Sequence, residues 1–192
     1  TSALGKVSSP PIVTDGFVYA AGYKGRVVSA DARNGRVAWT WEPREPSRLM
    51  SGLAHAEGSL FIGDDRGYIY SLLARDGIVA GRFPCGAPIS RPPVPLDELL
   101  LVFTHESDLV CLHRGEQLSV AWTHPTAKEL LATGENGLYL LTRDDMLACV
   151  ESKTGRRKWE LPLPRECQSV SDPASPIFYL ASPAGDIMAV TE

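Results

Sequence analysis

The segment that decides the fold runs from Ser8 to Trp41 and reads SSPPIVTDGFVYAAGYKGRVVSADARNGRVAWTW. It contains four short runs rich in β-branched and aromatic residues, and no helical apolar period competes with them. The first turn is Asp15-Gly16, which supplies the positive φ that a tight hairpin needs. Further polar turns follow at Tyr23-Lys24-Gly25 and at Arg33-Asn34-Gly35. The segment therefore predicts one antiparallel sheet of four strands.

The same unit recurs along the whole chain with a period of about 40 residues. A small residue in the middle of the third strand recurs once per repeat, at Ser29, Ser71, Cys111, Cys149 and Ala189. Such an evenly spaced column is typical of a position where neighbouring sheets pack face to face, so we expect Cys111 and Cys149 to be core residues. The repeat predicts an all-β protein, a β-propeller of about five blades with four antiparallel strands each.

The 192 residues are expected to form a single propeller domain. Its blades are predicted at approximately 8–42, 51–83, 89–124, 128–162 and 168–192. The fifth repeat ends before a fourth strand, and residues 1–7 could supply that strand and close a five-bladed ring. In the alternative, the chain is a fragment of a seven- or eight-bladed ring. The closed ring is favoured because an open arc would expose apolar sheet faces and edges.

The first and fourth repeats resemble a known family. The patterns PPIVxDGxVY at residues 10–19 and GRVVxADAxxGRxxW at residues 25–39 resemble the pyrroloquinoline-quinone-enzyme (PQQ-like) repeat, and ESKTGRRKW at residues 151–159 is similar to its end. The resemblance implies that a glycine permits the outer turn and that the tryptophan of the outermost strand docks between adjacent blades. The residues that would take these structural roles are Trp39, Trp122, Trp159, Gly35, Gly77, Gly115 and Gly155.

The resemblance indicates a propeller but leaves the function open, because this family includes both quinoprotein dehydrogenases and an outer-membrane assembly scaffold. Its dehydrogenases use adjacent cysteines beneath the cofactor and a ring of eight blades. The four cysteines here, at 85, 111, 149 and 167, are far apart in sequence and form no Cys-x-x-Cys pair. We therefore expect no catalytic, cofactor-binding or metal site. By resemblance, a periplasmic or other extracytoplasmic location is favoured.

Charge and hydropathy exclude two further classes of partner. Nineteen basic and 23 acidic side chains give a net charge of −4, with no run of five like charges, which argues against nucleic-acid binding. The longest apolar stretches, such as residues 99–103, are far shorter than a membrane span. The four histidines, at 55, 105, 113 and 124, form no metal-binding or catalytic motif.

Two surfaces are candidates for binding a partner. In a propeller of this topology, the turns between the second and third strands and the links between blades share one rim. That rim would carry Asp64, Asp65, Arg66, His105, Glu106, Asp108, Arg143, Asp144 and Asp145. Converging carboxylates could hold a cation or a basic peptide there. The second surface is the Pro-rich link from Trp41 to Arg48, where Trp41 and Arg44 are residue types favoured at protein interfaces.

Together these features predict a non-enzymatic interaction or scaffold module whose partner is another protein or peptide. The alternative is a small-ligand or metal-binding sensor domain that uses the acidic rim. A fragment of a quinoprotein dehydrogenase comes third.

Overall fold

The computed structural model describes residues 7, 9–22, 25–48, 51–105, 108–115, 117–135, 137–164, 168–171 and 177–190. In these residues the chain forms strands β1 to β19, arranged in five antiparallel sheets, and contains no helix. The predicted all-β class with five sheets is confirmed. Since it has no helix, this part of the chain also has no helix that is long and apolar enough to cross a membrane.

The sheets follow one another in chain order, and within each sheet consecutive strands are neighbours. The first sheet has β1 (Ile12–Thr14), β2 (Phe17–Gly22), β3 (Arg26–Asp31) and β4 (Val37–Trp41). The second has β5 (Ala54–Ala56), β6 (Ser59–Gly63), β7 (Tyr68–Leu73) and β8 (Val79–Pro84). The third has β9 (Val94–Leu96), β10 (Leu99–Phe103), β11 (Leu109–Arg114) and β12 (Leu118–His124). The fourth has β13 (Ala127–Gly134), β14 (Gly137–Thr142), β15 (Met146–Val150) and β16 (Arg157–Pro162), and the fifth has β17 (Gln168–Ser171), β18 (Phe178–Ala181) and β19 (Ile187–Val190).

Local turn chemistry explains why these strands form. Thr14 pairs with Phe17 across a two-residue turn in which Asp15 and Gly16 have φ values of 51° and 79°. Both values lie in the left-handed region, which a type I′ hairpin turn requires at both of its central positions. Asp tolerates this region better than most side chains do, and Gly adopts it at no steric cost. The first hairpin is therefore encoded by its own turn residues.

The chain divides into two compact units, residues 1–106 with 110–120 and residues 107–109 with 121–192. In the first unit, one apolar cluster includes Tyr19 and Leu72 of the first two sheets. A second cluster in that unit includes Ile69 and Leu100 of the second and third sheets. In the second unit, Cys149 and Phe178 belong to a cluster that joins the fourth and fifth sheets. Burial thus occurs between the faces of successive sheets.

The column of small residues at third-strand positions is buried at four of its five places. Ser29, Cys111 and Cys149 are fully buried and Ser71 is 7% exposed. The prediction that both of these cysteines lie in the core is confirmed. Ala189 is exposed, because β19 is the edge strand of its sheet among the described residues and no strand there lies beyond it.

Tryptophan side chains fasten successive sheets to one another. Trp39 of β4 donates a hydrogen bond from Nε1 to the carbonyl oxygen of Ala74, at 2.9 Å, and a Cβ atom added to Gly77 would lie 2.5 Å from its ring. Trp122 of β12 makes the same bond to Ser152, at 2.8 Å, beside Gly155. In both junctions the glycine makes room for the indole.

The remaining residues of the predicted structural set behave differently. Gly35 has the positive φ of an outer turn, 71°, but no atom lies within 4 Å of where its Cβ would be. Trp159 is 38% exposed. Gly115 was expected to permit the outer turn, yet it lacks a positive φ, and among the described residues no indole atom lies within 4 Å of where its Cβ would be. Gln117 follows Cys111 by six residues, as Gly77 follows Ser71 and Gly155 follows Cys149, so the sequence has no glycine at this spacing in the third repeat.

Closure of the ring stays a prediction. Residues 1–6 and 191–192, where a closing strand would begin or end, lie outside the described residues. Val7 forms an antiparallel bridge with Gly22, which lies at the end of β2 in the first sheet.

Candidate functional site

The two candidate surfaces meet in the first unit. The backbone N–H of Asp65 donates to the carbonyl oxygen of Arg48, and the N–H of Arg48 donates to Oδ1 of Asp65, both at 3.0 Å. Arg66 forms an ion pair with Glu45. The Pro-rich link and the turn at Asp64–Arg66 are therefore one continuous surface, which sequence reasoning had treated as two.

A groove of about 420 Å³ opens on this surface. We call it the Trp41 groove, and it is lined by Trp41, Glu42, Pro43, Arg44, Glu45, Tyr70, Val79 and Arg82. Residues 42–45 of the link form its outer wall, and Trp41 at the end of β4 together with β7 and β8 forms its inner wall. The groove therefore lies where the link passes over the second sheet.

Aromatic rings and an arginine form the inner wall of the Trp41 groove. The rings of Trp41 and Tyr70 lie 5.0 Å apart between centroids and are tilted by 60°. The guanidinium carbon of Arg82 lies 3.6 Å above the centroid of the Tyr68 ring and 5.6 Å from that of Tyr70. These contacts hold the aromatic and cationic groups in fixed positions, because tilted ring pairs and cation–π pairs are both attractive.

Tyr70 also connects the groove to the protein interior. Its hydroxyl donates to Oδ2 of Asp64 at 3.0 Å. Burial of the phenol, with a further contribution from the Asp64 carboxylate, raises the pKa of Tyr70 to about 12. At neutral pH the phenol therefore keeps its proton and acts as a hydrogen-bond donor to Asp64.

Asp64 is a structural residue, and its assignment to an exposed rim was wrong. It is fully buried. Its Oδ1 accepts hydrogen bonds from the backbone N–H groups of Arg66 and Tyr68, at 3.1 and 2.8 Å, and its Oδ2 accepts from Tyr70. Both carboxylate oxygens are thus engaged inside the hairpin turn between β6 and β7.

A signal in the sequence could have shown this role. Short polar side chains stand at the equivalent place in four successive repeats, at Asp64, Thr104, Thr142 and Ser182. In three of these turns the side chain accepts a hydrogen bond from the backbone N–H four residues later. The donors are Tyr68 to Asp64, Met146 to Thr142 and Asp186 to Ser182. At Asp64, Thr142 and Ser182 the side chain therefore caps its turn, and an uncharged hydroxyl serves at two of these three places.

The other predicted rim residues are distributed over both units. His105 is exposed in the first unit, where its backbone N–H donates to the carbonyl oxygen of Pro88 at 2.7 Å. Glu106 lies outside the described residues. Asp108, Arg143 and Asp144 are exposed in the second unit, and Asp145 is half-buried there with a φ of 54°. A ring of converging carboxylates stays a prediction.

In the described part of the chain, no three His, Cys, Asp or Glu side chains are grouped so that they could hold a metal ion. Burial raises the pKa of Cys111 to about 12, and burial together with the nearby Asp64 carboxylate does the same for Cys85. Both thiols are therefore protonated at neutral pH, whereas the thiolate is the form that attacks or ligates.

Successive antiparallel sheets, packed face to face and joined by tryptophan–glycine junctions, define a β-propeller of the PQQ-like repeat class. The profile described as "Outer membrane protein assembly factor BamB" matches residues 1–82 and 69–192, and the chain belongs to this family.

Individual relatives agree with this assignment. The outer membrane protein assembly factor BamB of Escherichia coli (strain K12) is 32% identical over 93 residues, which cover 44% of this chain and 24% of that protein. The BamB of Shewanella oneidensis is 27% identical over 168 residues, covering 78% of this chain and 42% of that protein. The crystal structure of BamB from Moraxella catarrhalis superposes with a TM-score of 0.74 at 16% identity, covering 94% of this chain and 56% of that one. The matches thus span less than half the length of either curated relative.

Proposed function

We propose that this chain is a non-enzymatic protein-interaction module of an extracytoplasmic assembly, and that it binds a partner protein at the Trp41 groove. The observation that carries the proposal is the fixed pairing of Trp41 with Tyr70 beside Arg82. Tryptophan, tyrosine and arginine are the residues most enriched among those that dominate binding energy at interfaces. The relatives' name, outer membrane protein assembly factor, supports both a protein partner and this location.

The chemistry of the Trp41 groove indicates what a partner should present. Arg44 is an exposed cation on its outer wall, and Glu42 and Glu45 are exposed anions beside it. The two glutamates form ion pairs with Arg26 and Arg66. A partner segment with an apolar or aromatic anchor and an acidic neighbour would pack on Trp41 and pair with Arg44.

Site-specific photocrosslinking in the native host tests the proposal. A photoreactive side chain at position 44 should crosslink to one defined protein. The same side chain at position 75 should not, because Arg75 is 80% exposed on a turn outside the groove. The charge reversal Arg44→Glu should weaken binding of that purified partner by roughly tenfold, the value of one lost charge-assisted contact. Identical crosslinks at positions 44 and 75 would contradict the proposal.

Calcium-dependent thermal stability tests the competing hypothesis, in which the acidic rim is a metal-binding sensor. Asp65, Asp144 and Asp145 can be replaced together by Asn, and Asp64 must be left unchanged because its loss would perturb the fold itself. A rise in melting temperature with calcium that this triple variant abolishes would support the sensor. An unchanged melting temperature in both proteins is the outcome we expect.

A further inference from the structure

The junction between the second and third sheets lacks its tryptophan. In the first and fourth sheets the small third-strand residue pairs with an outer-strand tryptophan, Ser29 with Trp39 and Cys149 with Trp159. In the second sheet Ser71 pairs with Gly81. Without the indole, a cavity of about 280 Å³ borders Gly81, and Leu118 lies beside it, 3.4 Å from where a Cβ atom on Gly81 would be.

The walls of this cavity are part apolar and part polar. Phe61, Leu73, Ala80 and Leu118 line it together with Glu57, Ser59, Ser71 and Arg114. Phe61 is 2% exposed and Ser71 is 7% exposed, so the inner end of the cavity is shielded from water. All these residues belong to the first unit.

One charged side chain is buried in the cavity wall. Arg114 occupies the repeat position of Ala74 and Ser152, three residues after the small residue of the third strand. At the other junctions the carbonyl groups of Ala74 and Ser152 accept the indole hydrogen bonds. Its side chain is only 7% exposed. Its Nε is buried and has no hydrogen-bond partner among the described residues.

Among the described residues, the charge of Arg114 faces one ring and one carboxylate; its guanidinium carbon lies 6.0 Å from the centroid of the Phe61 ring. Its Nη2 atom lies 3.6 Å from Oε2 of Glu57, which is beyond hydrogen-bond distance, and the Glu57 side chain is 81% exposed. A long ion pair with an exposed partner contributes little. A buried guanidinium that lacks a close anion carries a large desolvation penalty, and a ligand that supplies the anion would recover it.

We propose that this cavity binds a carboxylate carried on a flat apolar ring. The carboxylate would pair with the guanidinium of Arg114, whose planar fork matches it with two parallel hydrogen bonds. The ring would take the place that the indole has at the tryptophan-bearing junctions, between Phe61 and Leu118. An apolar cavity of about 150 Å³ already holds benzene, so about 280 Å³ accommodates a bicyclic ring with its carboxylate.

Indole-3-acetate is the first probe, because it combines an indole ring with a carboxylate. We expect it to bind the full chain with a dissociation constant below about 10 mM, measured by ligand-observed NMR. Indole-3-acetamide has the same ring without the charge, and acetate has the charge without the ring. Each control should bind at least roughly tenfold more weakly, since each lacks one of the two interactions.

Variants locate the site. Arg114→Gln should weaken indole-3-acetate binding by roughly tenfold or more, and Gly81→Leu should abolish it by filling the cavity while the charge of Arg114 is kept. Glu57→Gln should tighten binding about twofold to fivefold, because it removes the competing carboxylate. Arg75→Gln is the matched control, an exposed arginine in the corresponding turn of the preceding repeat, and it should leave binding unchanged.

The same carboxylate and ring also occur at a peptide chain that ends in tryptophan. Tighter binding of Gly-Gly-Trp than of indole-3-acetate would assign the site to a chain terminus, and weaker binding would assign it to a free small molecule; both results support the site. Equal binding of indole-3-acetate to the wild type and to folded Gly81→Leu would overturn the proposal. So would equal binding of indole-3-acetate and indole-3-acetamide to the wild type.

Discussion

Asp64 illustrates how a charged residue in a polar turn can be a core residue. The stretch Gly63–Gly67 carries three consecutive charged residues, which is the usual composition of a solvated turn. The structure nevertheless buries Asp64, because two N–H groups of its own turn and the Tyr70 hydroxyl satisfy its carboxylate. Its neighbours Asp65 and Arg66 remain on the surface side. The distinction was predictable only from the column of short polar caps that recurs from one repeat to the next.

Replacing Asp64 by Ala should destabilise the protein strongly. The change leaves two partly buried backbone N–H groups and one buried phenol hydroxyl without their acceptor, at a cost of about 2–5 kcal/mol in the free energy of unfolding. Denaturant titration of the variant measures this. Asp144→Ala is the matched control, since Asp144 is exposed, and its effect should stay within about 0.5 kcal/mol. Equal effects of the two substitutions would show that Asp64 does not cap the turn.

Tyr70 should make the free energy of unfolding fall as the pH rises in the alkaline range. Its pKa is about 12 in the folded protein and 10.0 when unperturbed, so the unfolded chain loses the phenol proton first as the pH rises. The stability contribution is therefore complete below pH 10 and declines between pH 10 and 12. The raised thiol pKa values of half-buried Cys85 and buried Cys111 add a decline that begins lower, near their unperturbed pKa of 9.0. Tyr70→Phe, titrated with denaturant at about pH 9 and about pH 11.5, should lose less stability than the wild type, and an equal loss would contradict the assignment.

At the scale of strands and sheets, the tryptophan and the glycine form a pair across the junction. Trp39 contacts Gly77, and Trp122 contacts Gly155. Where the second sheet has Gly81 instead of tryptophan, the third sheet has Gln117 instead of the glycine. Sequence reasoning assigned Gly115 only to the outer turn of its own repeat and did not consider the tryptophan of the preceding sheet. A glycine is needed in this turn only where the preceding sheet carries the tryptophan, so a single repeat read alone could not reveal the need.

Gly155→Ala should therefore cost more than Gly35→Ala. Both glycines have φ values near 70°, so alanine is strained at either position by about 1 kcal/mol. At Gly155 the added Cβ would also lie 2.5 Å from the Trp122 ring, whereas at Gly35 it would meet no atom within 4 Å. Overpacking adds about 1–3 kcal/mol. Thermal unfolding of the two variants measures the difference, and equal melting temperatures would rule out the tight junction.

At the scale of the whole chain, local signals explain why the fold class was predictable. Each sheet is built from hairpins between consecutive strands, so its turn residues and apolar runs lie within a single repeat. The choice between a closed ring and an arc depends instead on pairing between the two ends of the chain. No local pattern encodes that pairing. The Trp41 groove was similarly hidden, because it combines a link with a strand pair of the following sheet.

Small-angle scattering with an absolute mass measurement tests the closed-ring prediction. A compact monomer of 192 residues should have a radius of gyration of about 16 Å. A monomer at that value would support a closed five-bladed ring. An elongated or self-associating species would instead support an arc that belongs to a larger ring.

The pairing of tryptophan with glycine also determines where the chain can be cut and rejoined. A graft that exchanges a whole sheet, such as residues 12–41, separates Trp39 from Gly77. Where the next turn lacks the glycine, as at Gln117, the indole would have no such partner. A graft that runs from Val37 to Gly77 carries both members together. The segment that can be transplanted therefore begins at the outer strand of one sheet and ends before the outer strand of the next. Designed hybrids should be joined before the outer strand and not after it.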